Sequence, residues 1–235
     1  MVSGFSGFSQ KTEKFWRELK KNNNKDWFDQ NRALYDTEVV APAREFVTAM
    51  GARLKKIAPD IRALPQVNKS LFRINRDTRF SHDKSPYKTH MGLWMWEGAG
   101  PRMECSGFYF HLEPPGVMLG VGIHIFPKNL LDTYRDAVAD DKTGPALVKI
   151  LGQIESTGDY GVGGEFYKRV PRGFDPDHPR ADLLRYNGLA AYISTKIPEE
   201  FYSPALVDWC FKHFKVMAPL HAWLRDNVAA RAGRR

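Results

Sequence analysis

The densest run of chemically capable side chains lies between Arg73 and Lys88. Arg73, Arg76, Arg79, Lys84 and Lys88 share these sixteen residues with only two carboxylates, Asp77 and Asp83. Guanidiniums offer rigid paired donors, ammonium groups mobile point charges, and Ser or Thr hydroxyls further donors, which together hold phosphate or carboxylate oxygens. The seven charges sum to +3, more cation than two carboxylates neutralise, and the surplus points to an anion. The leading expectation is a phosphate-bearing small molecule or nucleotide held by Arg73, Arg76, Arg79, Lys84 and Lys88, with Tyr87 touching a base or sugar. Turnover, as a hydrolase or transferase, would need Asp77 or Asp83 as general base or as a Mg²⁺ ligand beside the phosphate, with His82 or His124 moving protons. The competing reading is a structural loop in which Asp77 and Asp83 pair with the arginines or Lys84.

Other constellations carry less. The two cysteines, Cys105 and Cys210, stand outside any CxxC pattern, which fits free thiols in a reducing cytoplasm. Seven histidines are scattered without HxxxH, HExxH or paired CxxC spacing, so no metal site is expected, and His90, His111 and His178 read as satisfied or solvated side chains. Phe80, Tyr87, Trp94 and Trp96 interleave with the cations as in single-strand nucleic-acid binders. No recognition helix or zinc finger accompanies them, and Trp94 and Trp96 read equally as core. A non-enzymatic nucleic-acid-binding or protein-interaction module, in which 73–88 is only a salt-bridged loop, is therefore the alternative function. Nothing selects an oligomeric state.

Three helices are expected in the first sixty residues: around Phe15, Trp16 and Leu19 after Ser9, around Trp27 to Val39 after the Asn22-Asn23-Asn24 break, and around Phe46 to Ile57 after Pro42. From Val67 the apolar period changes to two. Leu71 to Asn75, Met91 to Trp96, Ser106 to Leu112 and Val117 to Phe126 read as strands, the last two joined by Glu113-Pro114-Pro115-Gly116. Placing Leu112 opposite Val117 pairs Phe110 with Leu119 and Phe108 with Val121, which makes one face apolar. The other face then carries Cys105, Gly107, Tyr109, His111, Met118, Gly120, Gly122 and His124, with Cys105 opposite His124 as a nucleophile-and-base pair lacking a third group. The glycines there imply close approach of a ligand, or of the final helix or the Gly-rich segment. Helices follow Pro127 and Pro145, and Ser156 to Ile197 reads as loops with a short strand near Ala190 to Thr195. Ser203-Pro204 opens a last helix that Pro219 should kink or split. The fold class is α+β: a single domain over 1–228, a mainly antiparallel sheet with N-terminal helices and a long C-terminal helix packed on it, and a basic disordered tail at 229–235.

The segment Arg76-Asp-Thr-Arg-Phe-Ser-His-Asp-Lys-Ser-Pro-Tyr-Lys88 matches R-D-x-R-F-S-x-D-K-S-P-Y-K. Phe8-Ser9, Asn22-Asn23, Trp27-Phe28, Gly107-Phe-Tyr109, Gly120-x-Gly122, Arg135, Val170-Pro-Arg-Gly173 and Leu183-Leu-Arg185 add to it. On these residues the chain resembles a widespread bacterial and fungal family known only as a domain of unknown function, number twenty-four sixty-one in its series. The resemblance implies a single-domain protein and no established activity, so no catalytic residue carries over.

Composition closes other classes. With 43% hydrophobic and 26% charged residues over 235, the chain is long enough for a sizeable core and too apolar for disorder. Val117 to Phe126, the longest apolar stretch, is too short for a membrane span, and the start lacks the basic and apolar regions of a secretory signal. A cytoplasmic protein without membrane contact is expected. The net charge of +8 includes Arg231, Arg234 and Arg235, so the body carries about +5, modest for a large nucleic-acid footprint.

Overall fold

The computed structural model describes residues 4–164 and 167–232. Helix α1 (Gln10–Lys21) starts where Ser9 caps it: the Ser9 hydroxyl accepts the Thr12 N–H while the Thr12 hydroxyl accepts that of Ser9. Asn24 caps α2 (Lys25–Tyr35) by accepting the Trp27 N–H at 2.9 Å. A π turn at Asp36–Val40 runs without a break into α3 (Ala41–Leu54). Phe15, Trp16, Leu19 and Phe46 are buried along these helices, the amphipathic faces that their spacing implied.

The sheet contains β1 (Ile61–Arg62), β2 (Met91–Glu97), β3 (Gly107–Glu113), β4 (Gly116–Ile123), β5 (Tyr160–Gly163) and β6 (Leu189–Lys196). Their order is β1-β2-β3-β4-β6-β5 and every neighbouring pair is antiparallel. The β3–β4 ladder has the expected register, with Leu112 opposite Val117 and Phe108 opposite Val121. Apolar residues segregate to one face, and a slip by one would expose all of them.

That apolar face receives the helices. Phe110 packs on Phe46 of α3 with ring centres 5.0 Å apart, and Phe108 meets Phe214 of α7 (Leu206–Leu224) at 5.4 Å. One apolar cluster runs from Phe5 to Val228, with α4 (Lys128–Ala139), α5 (Thr143–Ser156) and the short α6 (Ala181–Leu184) closing its far side. The architecture is α+β, with helices on one face of an antiparallel sheet.

Several local expectations are corrected. Leu71 to Asn75 is not a regular strand: Leu71 bridges Leu93 and Asn75 bridges Tyr87 as isolated pairs. The final helix does not cover the glycine-bearing face of β3 and β4, because its apolar side fits the Phe108 face instead. Pro219 does not split α7; it sits on the exposed side of the helix, where water can satisfy the carbonyl that loses its donor. After α7 the chain continues through a π turn at Arg225–Ala229 into α8 (Ala230–Ala232), so 229–232, expected to open a disordered tail, are helical. Residues 233–235 of the expected tail lie outside the described residues.

Candidate functional site

The cationic loop is a hairpin-like excursion with a tight neck. Arg76 N–H donates to the Pro86 carbonyl at 2.9 Å and Lys88 N–H to the Ile74 carbonyl at 2.8 Å, which closes 77–85 into a protruding tip. Asn23, in the turn between α1 and α2, clamps the neck: its amide donates to the Tyr87 carbonyl at 2.8 Å and its oxygen accepts the Tyr87 N–H at 3.1 Å. The Tyr87 ring is buried and stacks on Phe28 at 4.3 Å, so it packs into the core instead of lining the loop's outer surface.

At the tip the charges pair with one another. Arg76 bonds Asp83 and donates to the Ser85 carbonyl at 3.2 Å, while Arg79 grips Asp77 with two donors at 2.9 and 2.7 Å. Hydrogen bonds from Ser85, with Arg76 adding its charge, hold the Asp83 carboxyl down at about 2. The Arg79 side chain does the same in direction for Asp77. Lys84 donates to the Thr78 carbonyl at 3.0 Å. Both carboxylates expected to act as bases or Mg²⁺ ligands are thus engaged by loop residues, and His82 lies beside them in the sequence.

The neck residue Lys88 faces elsewhere. Strand register determines what it meets: Gly92 and Trp94 of β2 lie opposite His111 and Tyr109 of β3, which lie opposite Met118 and Gly120 of β4, and Gly120 lies opposite Tyr192 of β6. Side chains alternate along a strand, so these residues share the sheet face that the helices leave bare. All but Gly92 line a cleft of ≈ 650 Å³, bordered also by Phe72 and Lys88 on the β2 side and by Gly163 at the end of β5 and Gly164 after it. The volume, the aromatic floor and the few polar groups (Lys88, His90, His111, His124) are those of a small-molecule site. None of Arg73, Arg76, Asp77, Arg79, His82, Asp83, Lys84 or Tyr87 lines it.

Gly120 keeps the floor open. A Cβ built there would meet nothing closer than 3.7 Å, so packing does not demand glycine; a side chain would simply occupy the cleft. Gly122 differs, since its φ of +145° and the Leu189 carbonyl, which a Cβ would overlap, exclude any other residue.

Lys88 gives one wall its positive charge. Lys88 donates to the Arg73 carbonyl at 3.0 Å, and the Phe72 ring takes Lys88 at 5.3 Å and Arg102 at 4.7 Å from its centre. Burial, with Arg73 and Arg102 adding like charge, pushes the Lys88 ammonium below its ordinary value. At the same end His90 precedes β2, and His111 and Glu113 stand two apart on β3. Extending the Gly92–His111 pairing by two residues sets His90 across from Glu113. The two imidazole rings are 4.5 Å apart, and His111 Nε2 lies 3.8 Å from Glu113 Oε2. Burial and the neighbouring His111 push His90 down to about 4, and burial lowers His111 against the opposing pull of Glu113. Burial thus favours the neutral form of both rings, which keeps a lone pair. Sequence spacing missed this trio because His90 comes from the segment before β2 and the other two from β3; the legible signal was His-x-Glu on one strand face.

Two further arrangements were not expected. Glu97, His221 and Ser106 form a buried relay: His221 Nε2 to Glu97 Oε2 at 2.8 Å, and Ser106 Oγ to His221 Nδ1 at 2.9 Å. The parts are those of a serine hydrolase triad, yet the imidazole is reversed, with Nδ1 rather than Nε2 on the serine, and Ser106 is only 2% exposed. A sealed nucleophile admits no substrate, so the relay is structural. Arg135, Lys168 and Arg169 also line a second, shallower hollow around Tyr167.

The expected Cys105–His124 pair does not form. The β3–β4 ladder ends at Gly107 and Gly122, Cys105 turns into a small cluster with Trp94 and Trp96, and His124 is exposed at the cleft rim. Burial raises the Cys105 thiol, the wrong direction for a nucleophile.

Fold and cleft together define an α+β protein whose helices cover one sheet face and whose other face carries a half-open, aromatic-floored cleft. Residues 11–223 match the conserved hypothetical protein family DUF2461, and the chain belongs to that family. No curated protein and no solved structure was found to match it. Among the described residues no helix is long and apolar enough to cross a membrane.

Proposed function

We propose that the protein binds a phosphate-bearing small molecule with a flat, largely apolar body in the cleft over the bare sheet face. The observation that carries this reading is the positive wall: Lys88 is partly desolvated, its charged neighbours are the cations Arg73 and Arg102, and it borders an apolar cavity floored by Tyr109 and Tyr192. Like charges held together lose their repulsion when an anion joins them, and a cleft raises its effective field by excluding water. Of the five cations expected to hold the anion, Lys88 alone borders the cleft in this reading; Arg73 adds like charge beside it, while Arg76, Arg79 and Lys84 shape the loop that holds Lys88 in place.

Thermal denaturation against nucleotides, sugar phosphates, inorganic phosphate and a short oligonucleotide tests the reading. A ligand at about 100 Kd adds about 2.7 kcal/mol, worth about 5–11 °C in a chain of this size. The expected result is a selective shift from a phosphate-bearing compound that is lost in Lys88→Met and Gly120→Val and kept in Arg79→Ala. A shift that survives both cleft substitutions and disappears in Arg79→Ala would move the site to the loop tip. Silence from every phosphate compound would end the proposal.

A further inference from the structure

We infer that His90, His111 and Glu113 form a binding site for a first-row transition-metal dication of the Zn²⁺ class at the edge of the cleft that His90 and His111 line. The ligand atoms of the three side chains all lie within 4.8 Å of one another. A tetrahedral ion with bonds of about 2.1 Å wants donors about 3.4 Å apart, so His111 and Glu113 are nearly placed and His90 closes by a side-chain rotation.

The surroundings match what a metal site requires beyond its ligands. Metal-bound imidazoles use their second nitrogen on an outer partner that fixes tautomer and ring direction. His111 Nδ1 is held by the Tyr109 hydroxyl at 3.0 Å, which leaves Nε2 turned toward Glu113. The carboxylate is divided in the same way: Glu113 Oε1 takes Lys20 at 3.1 Å and Thr89 at 3.5 Å, while Oε2 faces His111. Each of these two residues therefore has one atom anchored from behind and one directed at the shared point. Two imidazoles with a carboxylate select zinc-like or ferrous ions over Mg²⁺ or Ca²⁺, which prefer all-oxygen shells. Three protein ligands leave a coordination position free, and His90 and His111 both line the cleft, so that position adjoins the space a small molecule would enter. The inference stands without the phosphate reading, since it needs no cleft occupant.

The test is titration of the full chain, stripped with a chelator, with Zn²⁺ by calorimetry and with Co²⁺ by visible absorption. One equivalent of Zn²⁺ is expected, with Co²⁺ giving intense low-symmetry bands. Both signals should vanish in His90→Gln and His111→Gln and persist in His178→Gln. Tyr109→Phe, which removes only the outer partner, should weaken affinity about 10- to 100-fold. Should either histidine variant fail to fold, Glu113→Gln must show the loss. Failure of the wild type to bind Zn²⁺, or binding that is unchanged in the folded His90, His111 and Glu113 variants, overturns the site.

Discussion

Removing the His221 imidazole should cost the fold far more than its single residue suggests. The ring is fully buried, and Glu97 beside it is 5% exposed. The carboxylate is held from three directions: His221 Nε2 at 2.8 Å and Arg225 at 3.1 Å on one oxygen, and the Asp60 N–H at 2.9 Å on the other. With Nε2 donating to Glu97, Nδ1 is left to accept the Ser106 hydroxyl, so a neutral imidazole satisfies both neighbours. The relay ties α7 and the turn after it to β2 and to the residue just before β3. Breaking a buried pair by deleting one partner costs about 3–5 kcal/mol. Arg225 and Asp60 still serve Glu97, which places His221→Ala near about 3 kcal/mol and lowers Tm by about 6–12 °C. Ser106→Ala, which removes one neutral hydrogen bond, should cost only about 1 kcal/mol, or about 2–4 °C. The relay also titrates. Burial depresses His221 below its ordinary 6.5 despite Glu97, so the unfolded chain takes up this proton first and stability falls as pH drops below 6.5. Burial pushes Glu97 upward, but the hydrogen bonds from His221, Asp60 and Arg225 outweigh it, and its contribution is lost as pH falls below 4.5 toward its lower folded value. Melting curves of wild type, His221→Ala and Ser106→Ala between pH 4 and 8 read both effects. The loss between pH 6.5 and 4.5 should be smaller in His221→Ala than in wild type. A His221→Ala protein that melts within about 2 °C of wild type, less than 1 kcal/mol is worth at this size, and keeps its acid slope would refute the clamp.

Three other outcomes follow from particular contacts. Gly120→Val should fold with unchanged or slightly higher Tm while closing the cleft, whereas Gly107→Ala should unfold readily, since a Cβ there would overlap the Met95 carbonyl; paired melting curves separate them. Asn23→Ala deletes both hydrogen bonds to the Tyr87 backbone and leaves a buried neck unsatisfied, about 2 kcal/mol or about 4–8 °C of Tm, with proteolysis appearing first inside 77–85. Arg79→Ala breaks an exposed pair at the loop tip and should leave Tm where it is; a clear drop in the same scan would mean the tip is more tightly bound to the body than its exposure implies.

Much of the site's scaffold is legible in the amino-acid sequence. The clean division of Phe108, Phe110, Leu112, Val117, Leu119 and Val121 from Tyr109, His111, Met118 and the glycines allows one register only, and the β3–β4 ladder has it. The same alternation marks the bare face and its glycines. What covers a face is not legible, because α7 has apolar residues enough for either side, and only the shape of the Phe108 surface decides which it takes. The loop is legible as a cluster of charge but not as a set of pairs: Asp83 chose Arg76 and Asp77 chose Arg79 through a turn whose path the neck hydrogen bonds impose.

Local patterns reach as far as chain neighbours do. Caps, helix stripes, strand alternation and the family itself are properties of adjacent or near-adjacent residues, and the amino-acid sequence alone determined them for this protein. Groups that become neighbours across the sheet have no spacing to betray them. His90 meets His111 and Glu113 through the β2–β3 register, Glu97 meets His221 across 124 residues, and Lys88 reaches the cleft because Asn23 of another element holds its loop by the neck. Only tertiary packing sets such contacts, since it satisfies buried polar groups wherever partners can be found.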